Sequence, residues 1–278
     1  MIDVLTAPLN YAFMQRGLIA ALLVGTVCAV VGVYVVLRGM AFLGDALAHT
    51  ILPGIAVGYL VNGANRGALF WWALGAAIIS SLSIGVVSRA ARIREDTAIG
   101  IVFAAMFALG VALISTVRNS AVDLSHFLFG NILGVSEHDL WRIALFGTVV
   151  IAAIVLFYKE LMVVTFDPVL AATLRLPVQA FDLLLLILLA IAIVVAIQTV
   201  GVALTLAVLV TPPATAALFT HRMHTMMIMA ALLAMLAGVL GLYASYYFSI
   251  ASGAAIVLVS TLMFILAWAG SRLLRRNS

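Results

Sequence analysis

The chain has 278 residues, of which 66% are hydrophobic and only 9% charged, with a formal net charge of +4. Soluble domains carry about 25% charged residues, so a water-soluble enzyme, a nucleic-acid reader and a disordered linker are excluded and the bilayer is the solvent. The basic excess then reports which loops face the cytoplasm, and the single cysteine, Cys28, excludes an internal disulfide framework and a thiolate metal cluster within one chain.

A membrane-spanning helix needs about 20 apolar residues, which leaves room for roughly eight to ten spans and no soluble catalytic domain. Residues Met1 to Gln15 lack the basic region and cleavage site of a signal peptide, so residues 1–278 are expected to form a single transmembrane domain. In chain order the apolar stretches are Gly17–Leu37, Ala41–Val61, Ala68–Val87, Thr97–Ser115 and Asp139–Tyr158. Four more follow: Val178–Ile197, Val202–Phe219, Thr225–Phe248 and Ala251–Leu274. The runs are continuously apolar rather than alternating, which predicts helices and excludes a transmembrane barrel. The expected fold is all-α, a polytopic helical bundle of nine spans, with eight as the competing count. Asp45, His49 and Pro53 interrupt the second stretch, which is expected to be broken or partly re-entrant.

With nine spans and a cytoplasmic C-terminus, ten of the 14 Lys and Arg residues fall inside and Arg16, Arg66, Arg118 and Arg142 outside. The positive-inside rule therefore predicts N-terminus out and C-terminus in. The outer loop Arg118–His138 contains Asp123-Leu124-Ser125-His126, followed by a short apolar run that suits a small interfacial helix. The inner loop Lys159–Pro177 contains Asp167-Pro168, a carboxylate able to cap backbone N–H groups before a proline at the first helical position. Leu176-Pro177 ends that element. A short cytoplasmic helix is therefore expected, offering Phe166, Val169, Leu170 and Leu174 either to a partner or to lipid headgroups.

Ionisable groups inside a bilayer cost roughly 2.5–3.5 kcal/mol each on insertion scales. Asp45 and His49, in Gly44-Asp45-Ala46-Leu47-Ala48-His49, are four apart and share one helix face. Two readings stand: a carboxylate–imidazole pair that ties helices together, or ligands for Mn²⁺, Zn²⁺ or Fe²⁺ completed by other donors. Asp123, His126 and His138 are either an outer vestibule that attracts cations or a solvated loop. Glu95, Asp96 and Thr97 suit the start of the fourth span, where acids complement the positive helix N-terminus. His221 and His224 suit an interface position. Thr211-Pro212-Pro213 frees backbone carbonyls, which either line a pathway or pack in a kink. No Gly-x-x-x-x-Gly-Lys-Ser/Thr phosphate loop is present, so any ATP must be bound by another chain.

The sequence resembles the permease subunit of bacterial metal-uptake ABC transporters of the manganese/zinc/iron family. The likeness runs through Leu37–His49, Leu52-Pro53-Gly54, Asp96–Ile101, Phe107–Gly110, Leu128–Leu133 and Phe166-Asp167. It continues through Val200–Leu204, Leu209–Pro212 and Ser252–Leu258, in order over almost the whole chain. The resemblance implies an ATP-driven importer of divalent metal in the bacterial inner membrane. The permease would be a homodimer served by two cytoplasmic ATPases and an extracytoplasmic metal-binding protein. It implies that Asp45 and His49 line the metal route. It also implies that Phe166, Asp167, Val169, Leu170, Ala171 and Leu174 form a coupling helix seated in the ATPase. No tightly bound cofactor is implied: the metal is cargo, and ATP belongs to the partner. Leu-Phe-Gly-Asn at 128–131 leans toward the manganese-type members, with Zn²⁺ and Fe²⁺ as the other candidates. Two positions depart from the family: Arg175 where glycine is usual, and Ser249 where many members carry an acid. The rival readings are a proton-coupled carrier using Asp45 and His49 as a relay, and a passive metal channel.

Overall fold

The computed structural model describes residues 7–63, 66–116 and 132–276, and every regular element among them is helical. After a 3₁₀ turn at Ala7–Asn10, the helices are α1 (Ala12–Leu37), α2 (Ala41–Thr50), α3 (Leu52–Asn62), α4 (Arg66–Ala90) and α5 (Glu95–Ser115). Beyond a 3₁₀ turn at Ile132–Gly134 come α6 (Glu137–Leu156), α7 (Tyr158–Phe166) and α8 (Pro168–Thr173). The remainder are α9 (Val178–Val200), α10 (Val202–Ala217), α11 (Met223–Phe248) and α12 (Ser252–Arg276). The outer-loop helix expected around Asp123–Asn131 lies outside the described residues.

Among the described residues, eight helical segments are long and apolar enough to cross a membrane, with α2 and α3 together making one of them. The ninth expected span, α10, has 16 residues. At 1.5 Å per residue that is about 24 Å, short of a hydrocarbon core of about 30 Å. Several hydroxyl groups inside these helices are satisfied locally. Thr26, Ser80, Thr205 and Thr261 each donate to the carbonyl four residues back, which lets polar side chains sit in an apolar medium.

The chain divides into two compact units. The first comprises residues 1–36, 125–151 and 195–278. In it α10 packs against both α11 and α12, which also pack on each other. Proline shapes this unit. Pro213 lacks an N–H and so leaves the carbonyl of Leu209, four residues back, without its helical donor. Gly32 of α1 lies directly against that carbonyl, and a Cβ there would collide with it. Pro212 and Pro213 are thus a packed feature inside α10, and both are buried.

The second unit comprises residues 37–124 and 152–194. It opens with a tight connection from α1: Gly39 adopts φ 70°, a left-handed conformation that glycine takes without steric cost. α2 and α3 are separated at Ile51, whose N–H donates to the His49 carbonyl. Pro53 is the cause, since it cannot supply the N–H that His49, four residues earlier, would otherwise meet. α3 then packs closely on α4 and α5. A Cβ on Gly54 would strike the Trp72 carbonyl and Ala76, and one on Gly110 would approach Leu52 Cβ at 2.7 Å.

The inner loop is more ordered than the sequence reading expected. α7 forms nine residues of helix immediately after a bend at Phe157, with Leu161 and Val164 buried on one side. The i, i+3 spacing of those two residues explains the helix, and the charged Lys159-Glu160 pair just before them masked it in the sequence.

Candidate metal site and exposed helix

α2 buries one side and exposes a narrow strip. Leu43, Gly44, Ala46, Leu47, Ala48 and Thr50 are buried, while Phe42 is exposed and Asp45 and His49 are half-buried. Positions 42, 45 and 49 follow helical spacing, so the three side chains form one stripe. His49 Nε2 lies 3.6 Å from Asp45 Oδ1, with 26% and 40% of the respective side chains exposed. That separation exceeds a hydrogen bond. Two donors bound about 2.1 Å from one ion at a tetrahedral angle stand about 3.4 Å apart. The pair therefore has the spacing of two ligands to one cation.

Phenylalanines border the pair. The His49 ring meets Phe103 at 6.0 Å and Phe107 at 5.8 Å, both edge-on, and Phe42 meets Phe103 at 5.8 Å. Phe103 and Phe107 stack at 5.9 Å on α5. Edge-on contacts of this kind are a favoured aromatic geometry and give the imidazole apolar neighbours. Among the described residues no cluster of three His, Cys, Asp or Glu side chains forms a complete metal cage. Among the described residues, the α2 stripe presents two donors on an open face.

The other sequence-designated residues are dispersed. His138 is exposed in the first turn of α6. There Ser136 and Asp139 cap the helix reciprocally: Asp139 N–H donates to Ser136 Oγ at 3.2 Å, and Ser136 Oγ–H to Asp139 Oδ2 at 2.6 Å. Asp123 and His126 lie outside the described residues.

The short helix α8 forms as its sequence dictates. Asp167 Oδ1 accepts the Leu170 N–H at 2.8 Å, and Pro168 follows in the first turn. Phe166, Val169, Leu170 and Leu174 are all exposed, Val169 at 75%. Ala171 is fully buried, so its side chain anchors α8 to its own protein. Within the expected coupling segment Ala171 therefore faces inward, while Phe166, Val169, Leu170 and Leu174, the four residues expected to be offered for contact, face outward. Arg175 adopts φ 58° and Ser249 φ 54°, so both positions fall on left-handed backbone.

One charged group was not singled out from the sequence. Arg38 Nη1 pairs with Asp182 Oδ1 at 2.9 Å, with 10% and 27% of the side chains exposed. Arg38 Nε also donates to Thr165 Oγ1 at 3.3 Å. Asp182 is an acid near the start of the apolar run Val178–Ile197, and an ionisable residue in such a run was the signal available.

Comparison with known proteins places this architecture. The profile of the ABC 3 transport family matches residues 10–271. The manganese transport system membrane protein MntC of Halalkalibacterium halodurans is 45% identical over 260 residues, covering 94% of this chain and 88% of that protein. The manganese import system permease protein ScaB of Streptococcus gordonii is 40% identical over 259 residues, covering 93% and 91%. The solved structure of PsaBC from Streptococcus pneumoniae in complex with Fab superposes with a TM-score of 0.83 at 34% identity, covering all of both chains. With the regular elements among its described residues all helical, eight helical segments apolar and of spanning length, and a match along nearly its whole extent, the chain is a membrane permease belonging to the ABC 3 transport family.

Proposed function

We propose that the chain is the permease subunit of an ATP-driven importer of divalent transition metal, Mn²⁺ foremost, with Asp45 and His49 as ligands along the metal route. The observation that carries this reading is the 3.6 Å separation of His49 Nε2 and Asp45 Oδ1 on a phenylalanine-bordered open stripe of α2. A hard carboxylate oxygen and a borderline imidazole nitrogen suit Mn²⁺, Fe²⁺ or Zn²⁺. Relatives named for manganese transport and import support Mn²⁺ among them.

Two donors do not complete a coordination sphere, and both side chains are partly exposed. A second copy of the chain facing the same stripe would bring a second Asp45 and His49, giving four donors. The working unit is therefore a homodimer, and residues 1–278 act as one transport domain. The exposed apolar side chains of Phe166, Val169, Leu170 and Leu174 form the seat for a cytoplasmic ATPase, which alone binds ATP. An extracytoplasmic binding protein delivers the metal. On this reading the N-terminus is outside and the C-terminus in the cytoplasm of the bacterial inner membrane. ATPase closure moves α8, opens the route to one side at a time, and the two carboxylate–imidazole pairs replace part of the cation's lost hydration.

The test is reconstitution of the permease with its ATPase and binding protein in proteoliposomes, with radioactive manganese as the probe. Uptake should require ATP and all three components, and Mn²⁺ should outcompete Zn²⁺ and Fe²⁺. Uptake driven by a proton gradient without ATP would replace this reading with a proton-coupled carrier. Flux down the metal gradient without either would replace it with a channel.

A further inference from the structure

Arg38 stands at the junction of three segments within one compact unit. Its guanidinium pairs with Asp182 at 2.9 Å and donates to Thr165 at 3.3 Å. Thr165 lies on α7, two residues before Asp167, and Asp182 lies on α9, five residues after Pro177. One rigid fork therefore holds both flanks of the segment that displays Phe166, Val169, Leu170 and Leu174. On its own chain, Arg38 is separated from α2 only by Gly39 and Met40. Met40 is buried, and α2 carries Asp45 and His49.

The surroundings suit a contact that changes partner. Arg38 Nη2 is buried and makes no hydrogen bond. Asp182 and Met40 line a small cavity of about 30 Å³ together with Glu95, Arg89 and Ser88, a space that accommodates a water molecule. The Glu95 carboxylate feels the charges of Arg38 and Arg89 as attraction and that of Asp182 as repulsion. A guanidinium with a spare donor, whose partner Asp182 shares that cavity with a second acid, Glu95, has an alternative acid to pair with when the segment moves. A planar guanidinium keeps its direction as it changes partner, which a lysine ammonium would not.

We propose that Arg38 is a positioning residue that transmits movement of the 165–182 segment to α2, and so couples ATPase engagement to the exposure of Asp45 and His49. It touches neither metal nor nucleotide. The inference rests on the reading that the 166–174 segment seats an ATPase, and it adds the route by which that contact reaches the metal ligands.

The test uses the reconstituted complex of permease, ATPase and binding protein. Three quantities are read: ATPase retained on purification, ATP hydrolysed, and manganese taken up per ATP. Arg38→Gln should retain the ATPase and hydrolyse ATP, while manganese per ATP falls on the order of tenfold, toward the upper end of what single residues do to coupling. Thr165→Val keeps the ion pair and removes only the contact to α7, and should lower the same ratio by roughly twofold to fivefold. If Arg38→Gln does not insert, Thr165→Val carries the decision. A normal ratio in every variant that assembles overturns the inference. Leu170→Asp serves as the separate control. Retention of an active ATPase by that variant removes the docking reading itself and this inference with it, whereas loss of the ATPase there with a normal ratio in the Arg38 and Thr165 variants removes the transmission role alone.

Discussion

Asp45 and His49 are half-buried side chains at ion-pair distance but beyond a direct hydrogen bond, in a strip whose neighbours are phenylalanine rings. If they bind the transported ion, removal of either leaves a cation on a poorly hydrated path with one protein donor fewer. Losing a partner for a desolvated charge costs about 3 kcal/mol, on the order of 100-fold. Asp45→Ala and His49→Ala should therefore each reduce manganese uptake to background while expression stays near the parent level. Normal transport by both would make the pair structural. Arg175 offers a separate test at this scale. Its φ of 58° is left-handed, a conformation that costs a non-glycine residue about 1–2 kcal/mol. Arg175→Gly should raise the melting temperature of the detergent-solubilised protein and leave ATPase retention unchanged. A lower melting temperature would mean that the arginine side chain contributes more than its backbone costs.

Helices of this chain meet through glycine where backbone approaches backbone. Gly32 faces the Leu209 carbonyl released by Pro213, and Gly54 faces the Trp72 carbonyl. A methyl group at either place has no room, and overpacking of this kind costs typically 1–3 kcal/mol. Gly32→Ala and Gly54→Ala should each lower thermal stability in detergent. Gly75 and Gly100, with nothing within reach of a Cβ, should accept alanine without loss, and equal melting temperatures for all four variants would contradict the packing described. The short helix α8 is tested by charge. Leu170 is 46% exposed, and neighbouring Ala171 is fully buried, so substitution of Leu170 leaves the helix anchored. Leu170→Asp should insert normally yet lose the ATPase on purification and lose uptake, because an unpaired charge in an apolar contact is strongly disfavoured. Lipid headgroups covering the same face would instead leave the ATPase bound.

For the whole molecule, orientation in the membrane decides what each end of each helix meets. In the proposed nine-span arrangement with the C-terminus inside, ten of the 14 basic residues lie on one side, which the positive-inside rule would make cytoplasmic. With Cys28 replaced, an impermeant thiol reagent applied to intact cells should label a cysteine at position 65 and leave one at position 278 unlabelled. The opposite pattern would reverse the orientation, and labelling of both would mean that α10, at 16 residues, does not cross.

Composition alone determined the solvent. With 66% hydrophobic and 9% charged residues, only a bilayer satisfies the surface, and continuous apolar runs in a bilayer form helices because each backbone group must be paired within its own segment. Local chemistry was equally legible where it depends on near neighbours in sequence. Asp167-Pro168 starts α8, and residues 45 and 49 share a helix face, because capping and helical periodicity act over three or four residues. Contacts between distant residues were decided only by the tertiary structure. Nothing near Arg38 in the sequence points to Thr165 or Asp182, more than 100 positions away, and nothing around Ala171 marks it as the one member of its turn that faces inward. Pro213 announces a free carbonyl from the sequence, but that Gly32 is the residue lying against it follows from helix packing, which depends on side-chain volumes in three dimensions rather than on spacing along the chain.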